Sequence, residues 1–274
     1  FSKIKKNKQG LFQKIAIATI MRPITKMSRR IDTSDKIPVL VRRAFRLAKR
    51  ERPGAVLLEL PEDIAEEETD ARPLETTPTQ TPYPSKEMTT RACKMIQEAN
   101  RPVIIIGSDA ARADIGLPLL ALIKKTGIPF ATTQMGKGAV DETSALYLGT
   151  TALSEHDYIH YALERADLII AIGHTIREKP PFLPTDKKQE LIHINFTDAD
   201  ISSIYAPNLE IIGDIAVTIS SLTEEIVPQA QWDFSYFHRV AERLKQQIKK
   251  EEMGTSFPVK PQHLIAALKN VVPE

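Results

Sequence analysis

From about residue 85 the chain alternates short apolar runs with longer amphipathic stretches. The runs 103–107, 129–133, 168–172, 191–196 and 209–212 are too short for soluble helices and read as buried strands. Between them, helices are expected over about 86–99, 114–126, 157–165, 198–204 and 215–226. In the second of these, Ile115, Leu119, Leu122 and Ile123 share one face and Gly127 stands where a helix C-cap needs a left-handed residue. A short apolar segment, 145–148, supplies a sixth strand. Strands alternating with helices imply a parallel sheet with right-handed crossovers and helices on both faces. The expected fold is therefore α/β, a Rossmann-like domain with an approximately six-stranded parallel sheet, preceded by part of a second α/β domain.

That earlier part has its own pattern. A helix is expected over about 11–20, stopped by Arg22-Pro23 and followed by a short extended segment through Ile24 to Lys26. Ile37, Leu40, Val41, Ala44, Phe45 and Ala48 repeat at helical spacing, so 34–50 reads as an amphipathic helix. Arg52-Pro53-Gly54 ends it and 55–60 follows as a strand. Then the composition shifts: acidic residues give way to Pro73, Pro78, Pro82 and Pro84 among threonines, a stiff stretch with little to bury. Four segments follow from this reading: 1–68, a linker at 69–85, the central domain at 86–227, and 228–274 with helices over about 232–250 and 262–270. Phe1 in place of Met reads as a piece of a longer chain.

Composition narrows the class. With 42% hydrophobic and 26% charged residues the chain is an ordinary globular one, and no apolar run approaches the ~18–20 residues that span a bilayer. No membrane partner is expected. Thirty-seven basic against 35 acidic residues nearly balance, and the lysines at 3, 5, 6 and 8 have no aromatic interleaving, so no nucleic-acid partner is expected either. The single Cys93 cannot form an internal disulfide, which suits a reducing cytoplasm; it reads as a small residue packed on a helix face.

The segment 166–196 is the first candidate for chemistry, because His174, Thr175, Arg177, Glu178 and Lys179 crowd the carboxyl end of a strand, where open parallel sheets bind ligands. Dinucleotide binding by the usual fingerprint is not supported. After the strand 103–106 the sequence GSDAAR holds one glycine where three are needed. Gly136-Lys137-Gly138 does not complete a phosphate loop. His156 and His160 are four apart, yet no carboxylate or cysteine pattern completes a zinc site around them. His193, set among apolar neighbours in a strand, reads as a packed side chain. No serine lies in a nucleophile elbow.

Two further stretches carry a resemblance. RPGAVLLELPEDI (52–64) is similar to R-P-G-P-V-x-[IL]-[DE]-[IL]-P-x-D-[VI], and FQKIAIATIMRPITKM (12–27) to F-Q-E-x-D…RP-x-T-K. Both belong to the pyrimidine-binding domain of thiamine-diphosphate-dependent acetolactate (acetohydroxyacid) synthases. RPVIIIG, ADLIIAIG, LIHINF and EIIGDI, within 86–227, resemble the central domain of that family. The resemblance implies a fragment that covers the end of the pyrimidine-binding domain (1–68) and the central domain, with 228–274 leading toward a pyrophosphate-binding domain. It implies thiamine diphosphate and Mg²⁺ in the complete enzyme, the aminopyrimidine activated by a glutamate before Phe1 and the metal and diphosphate bound by a G-D-G…N segment after Glu274. The implied reaction is condensation of two pyruvates to 2-acetolactate with loss of CO₂, in a homo-dimer or tetramer. Gln13 and Lys26 match the family's catalytic glutamine and entrance lysine, and Phe12 and Lys179 are the implied substrate contacts. Lys14 and Ala16 depart from the Glu and Asp of F-Q-E-x-D. Thr175-Ile176-Arg177-Glu178-Lys179 departs from the R-F-D-D-R of flavin-binding members, so a member working without FAD is implied. Two alternatives stay open: another thiamine-diphosphate-dependent carboligase or ketoacid decarboxylase, and a non-catalytic nucleotide-binding or subunit-interface module.

Overall fold

A computed structural model describes residues 15–78, 81–113, 115–151, 158–175, 178, 189–202, 205–254 and 257–272. The chain divides into two compact units, Phe1–Gln80 and Thr81–Glu274.

In the first unit, α1 (Ile17–Met21) leads to β1 (Met27–Arg30), α2 (Ile37–Lys49), β2 (Val56–Glu59) and α3 (Glu62–Ala65). The strands pair in parallel, from Met27 opposite Val56 to Arg30 opposite Glu59. Pro38 sits in the first turn of α2, where its missing N–H breaks no helical hydrogen bond. Of the apolar stripe expected on this helix, Ala44 is buried while Phe45 stays 63% exposed. The extended segment expected at 24–26 lies one step later: 22–24 is a helical turn and the strand begins at Met27.

The second unit holds α4 (Lys86–Glu98), β3 (Pro102–Ile106), α5 (Ser108–Arg112), α6 (Gly116–Thr126), β4 (Phe130–Thr132), β5 (Tyr147–Thr150), α7 (Tyr158–Arg165), β6 (Leu168–Ile172), β7 (Glu190–Asn195), β8 (Leu209–Ile212), α8 (Ile215–Glu225), α9 (Ser235–Glu252) and α10 (Pro261–Lys269). Its six strands form one parallel sheet in the order β5-β4-β3-β6-β7-β8. Counted within the unit, that is the 3-2-1-4-5-6 order of dinucleotide-binding sheets, with its topological switch point between β3 and β6. The expected α/β class and six-stranded parallel sheet are therefore what the chain forms.

Strand alternation sends side chains to two cores. Ile104, Ile106, Ile170, Ile172, Ile192 and Ile194 pack under α4, α6 and α8 on one face. Val103, Ile105, Ile169, Ala171 and Leu191 pack under α7 and α9 on the other. Phe237, Val240 and Ala241 of α9 belong to this second core, so the first helix of 228–274 is an integral layer of the unit. Helix ends follow local chemistry: the Asp214 side chain accepts from Val217 N–H at 3.0 Å to open α8, and Gly127 (φ +68°) closes α6. Asp167 ties the amino ends of neighbouring strands together, its carboxylate accepting from Asn100 and Arg101 N–H at 2.8 Å each.

Among the described residues, the helix expected over 198–204 does not form. Residues 198–202 are irregular because polar groups take the backbone elsewhere: Ala199 N–H donates to the Glu210 carboxylate at 2.8 Å and the Ser202 hydroxyl accepts from Tyr205 N–H at 3.1 Å. Among the described residues, no helix is long and apolar enough to cross a membrane.

Cys93 is buried in α4, 4% exposed, within the first core. Burial, then the negative charge of Glu225, pushes its thiol up to about 12. A raised value means that the thiol's contribution to stability is complete below its ordinary pKa near 9 and is lost as pH rises toward 12. At pH 8 the folded chain should leave Cys93 unmodified by a thiol-exchange reagent and the urea-unfolded chain should react fully; equal rates would contradict this burial.

Candidate functional site at the carboxyl end of the sheet

The carboxyl ends of β3, β4 and β6 meet around three glycines. A Cβ on Gly107 would fall 2.5 Å from Gly173 O and from His174 Cα. On Gly173, at φ +63°, it would fall 2.1 Å from Ala110 N; on Gly136, 2.1 Å from Ile106 O. Only glycine allows this approach of backbone to backbone. The strand ladder accordingly continues past the strand ends: Gly107 N–H donates to Ile172 O at 2.9 Å, Asp109 N–H to Gly173 O at 2.9 Å, and Thr133 N–H to Ile106 O at 2.8 Å.

Into this junction comes Glu178, 9% exposed. One carboxylate oxygen accepts from Ser108 N–H at 2.7 Å and the other from the Thr133 hydroxyl. Thr133 Oγ1 in turn accepts from Gly136 N–H at 3.1 Å, and Glu178 N–H donates to Thr175 O at 3.0 Å. A carboxylate this deep needs such donors, because without them burying its charge would be prohibitive. Beside it, Asp109 holds Arg112 at 3.1 Å, and the Arg112 guanidinium lies over the Phe196 ring at 5.5 Å.

A second polar group lies on the α7/α9 face. His193 Nε2 sits 3.0 Å from Thr197 O, an acceptor only, so Nε2 carries the proton; Nδ1 then accepts from the Tyr205 hydroxyl at 2.8 Å. Burial, with Glu210 nearby, pushes the Tyr205 phenol above its ordinary range, so it remains a donor. The His174 ring lies 5.1 Å from that of Tyr205, and Asn195 Nδ2 donates to His174 O at 2.9 Å. His193 is thus the packed side chain its sequence neighbours imply, with both ring nitrogens engaged. His160 bonds Glu164 at 2.9 Å on the same helix.

Of the residues implied as functional, Phe12, Gln13 and Lys179 lie outside the described residues. Lys26 is described, and its ammonium donates at 2.7 Å to both Arg50 O and Arg52 O, closing the end of α2. Two of its three donors are used in that way. Sequence reasoning named Glu178 only as one of a polar crowd and missed Ser108 and Thr133 as its partners. Thr133, a polar residue ending an apolar run, was the available signal. Among the described residues no group of three or more His, Cys, Asp or Glu side chains is placed to hold a metal ion. The described residues by themselves do not fit a metal-bound diphosphate.

With this geometry in place, comparison shows what the chain is similar to. Residues 89–222 match the family model described as thiamine pyrophosphate enzyme, central domain. This segment belongs to that family. The chain is 28% identical over 277 aligned positions to acetolactate synthase 2, chloroplastic, of Zea mays, covering 94% of the chain and 42% of the maize protein. It is 29% identical over 218 positions to glyoxylate carboligase of Escherichia coli O157:H7, covering 78% of the chain and 37% of that protein. The chain therefore spans less than half the length of these relatives. The crystal structure of benzoylformate decarboxylase from Polynucleobacter necessarius shares the fold, at TM-score 0.73 and 18% identity, over 97% of this chain and 49% of that one. The likeness to acetolactate synthase expected from the motifs thus holds over most of the chain.

Proposed function

We propose that this chain is part of an acetolactate synthase, one that condenses two pyruvates to 2-acetolactate with loss of CO₂ and needs more polypeptide than these 274 residues to do so. The observation that carries this reading is the extent of the match to the maize synthase: it covers 94% of the chain, running through the Arg52–Ile64 motif as well as the central domain. Thiamine diphosphate, with Mg²⁺, supplies the carbanion chemistry when bound in the complete enzyme. The part of this chain is to bind and orient the ketoacids. Gln13 offers an amide to the reacting group, Phe12 an apolar wall, and Lys26 and Lys179 positive charge toward the substrate carboxylate. Lys26 has one donor left after closing the Arg50–Arg52 turn, which supports a role at the entrance. The enzyme works in the cytoplasm, without FAD, as a homo-dimer or tetramer.

A second reading, a carboligase for another ketoacid, is favoured by the likeness to glyoxylate carboligase. Substrate competition separates the two. The complete protein, given thiamine diphosphate and Mg²⁺, should turn over pyruvate at least about tenfold more efficiently than glyoxylate, a margin of roughly 1.4 kcal/mol in transition-state binding. The reverse ratio would favour the carboligase reading.

A further inference from the structure

The sheet order of the second unit is that of dinucleotide-binding folds, whose ligand phosphates lie at the switch point where the strand order reverses. In this chain the switch point falls between Gly107, after β3, and Gly173, after β6. We propose that Glu178 is a built-in anion beside that switch point, bridging the loops after β3 and β4. Its carboxylate takes the Ser108 N–H and the Thr133 hydroxyl, the donors an incoming phosphate would use, and the unit does not accept a dinucleotide there.

Three observations converge on this. The carboxylate is buried and bonded by two donors brought from different strand ends, so it bridges the loop after β3 to the loop after β4. The two loops flanking the switch point touch backbone to backbone, with positions 2.5 Å from Gly173 O and 2.1 Å from Ala110 N where side-chain atoms would begin. The Glu178 backbone is itself fixed to Thr175 O at 3.0 Å, three residues beyond the end of β6. A negative group between those donors does for the fold what a ligand phosphate does elsewhere: it satisfies buried donors and joins the strand ends. This inference concerns the switch point alone and does not depend on which ketoacid the complete enzyme takes.

The test is chemical rescue of the 274-residue chain. Glu178→Ala should lower the thermal midpoint by about 5–10 °C, as expected for loss of two charge-assisted hydrogen bonds in a unit of this size. Sodium formate at roughly 50 mM should restore about half of that loss relative to sodium chloride at equal ionic strength, because the free anion binds only the folded variant. Wild type should show no formate-specific shift. Formate that moves both proteins equally, or neither, overturns the proposal. Should Glu178→Ala not fold, hydrogen exchange at the Ser108 amide in wild type decides. Protection of at least about 100-fold over an unstructured amide is expected, and an amide exchanging like an open loop overturns it. Micromolar binding of FAD by the wild-type chain in calorimetry would overturn it as well.

Discussion

Gly173→Ala should destabilise the second unit by about 3–5 kcal/mol, or leave no folded chain to measure. A left-handed backbone costs a non-glycine residue about 1–2 kcal/mol by itself. Here, at φ +63°, the added Cβ would also stand 2.1 Å from Ala110 N and 2.8 Å from Ala110 Cα, backbone atoms that cannot turn aside like a side chain. Moving them apart breaks the Asp109 N–H···O bond to Gly173 and strains that from Gly107 N–H to Ile172 O, at about 1 kcal/mol each. Gly127→Ala is the control. Its φ of +68° is nearly the same, but nothing lies within 4 Å of the new atom, so only the conformational cost of about 1–2 kcal/mol applies. Urea unfolding of both variants checks the pair; equal losses would contradict the close approach at the switch point.

Phe237→Ala should cost about 3–5 kcal/mol, the range for emptying a buried phenylalanine site. Phe237 is fully buried, stacks against Phe234 at 6.4 Å between ring centres, and seats α9 on the sheet. Phe257→Ala, at a residue 94% exposed, should change stability by no more than about 0.5 kcal/mol. If the Phe237 variant unfolds at the same urea concentration as wild type, α9 is not the layer over the second core described above.

The fold was largely legible because its strongest signals are local. Runs such as 103–106 and 168–172 are buried at every position, and a strand buried on both faces must be written as an unbroken apolar run. Failures occurred where tertiary pairing decided. Met-Ser-Arg-Arg, the sequence of β1, has little strand character and becomes a strand by pairing with β2. The sixth strand lies at Tyr147–Thr150, two residues past the apolar run 145–148, because Gly149 and Thr150 pair with Ala131 and Thr132 of β4. The five-residue α5 carries too few positions to show a period. The site was harder still. Glu178 is 70 residues from Ser108 and 45 from Thr133, so no spacing rule relates them, and only the sheet order brings them together.

The proposed synthase activity of the complete protein is tested by the product balance from pyruvate with thiamine diphosphate and Mg²⁺. One 2-acetolactate and one CO₂ are expected for every two pyruvates consumed, and no acetolactate from the 274-residue chain by itself. One CO₂ per pyruvate with free acetaldehyde as the product would contradict it.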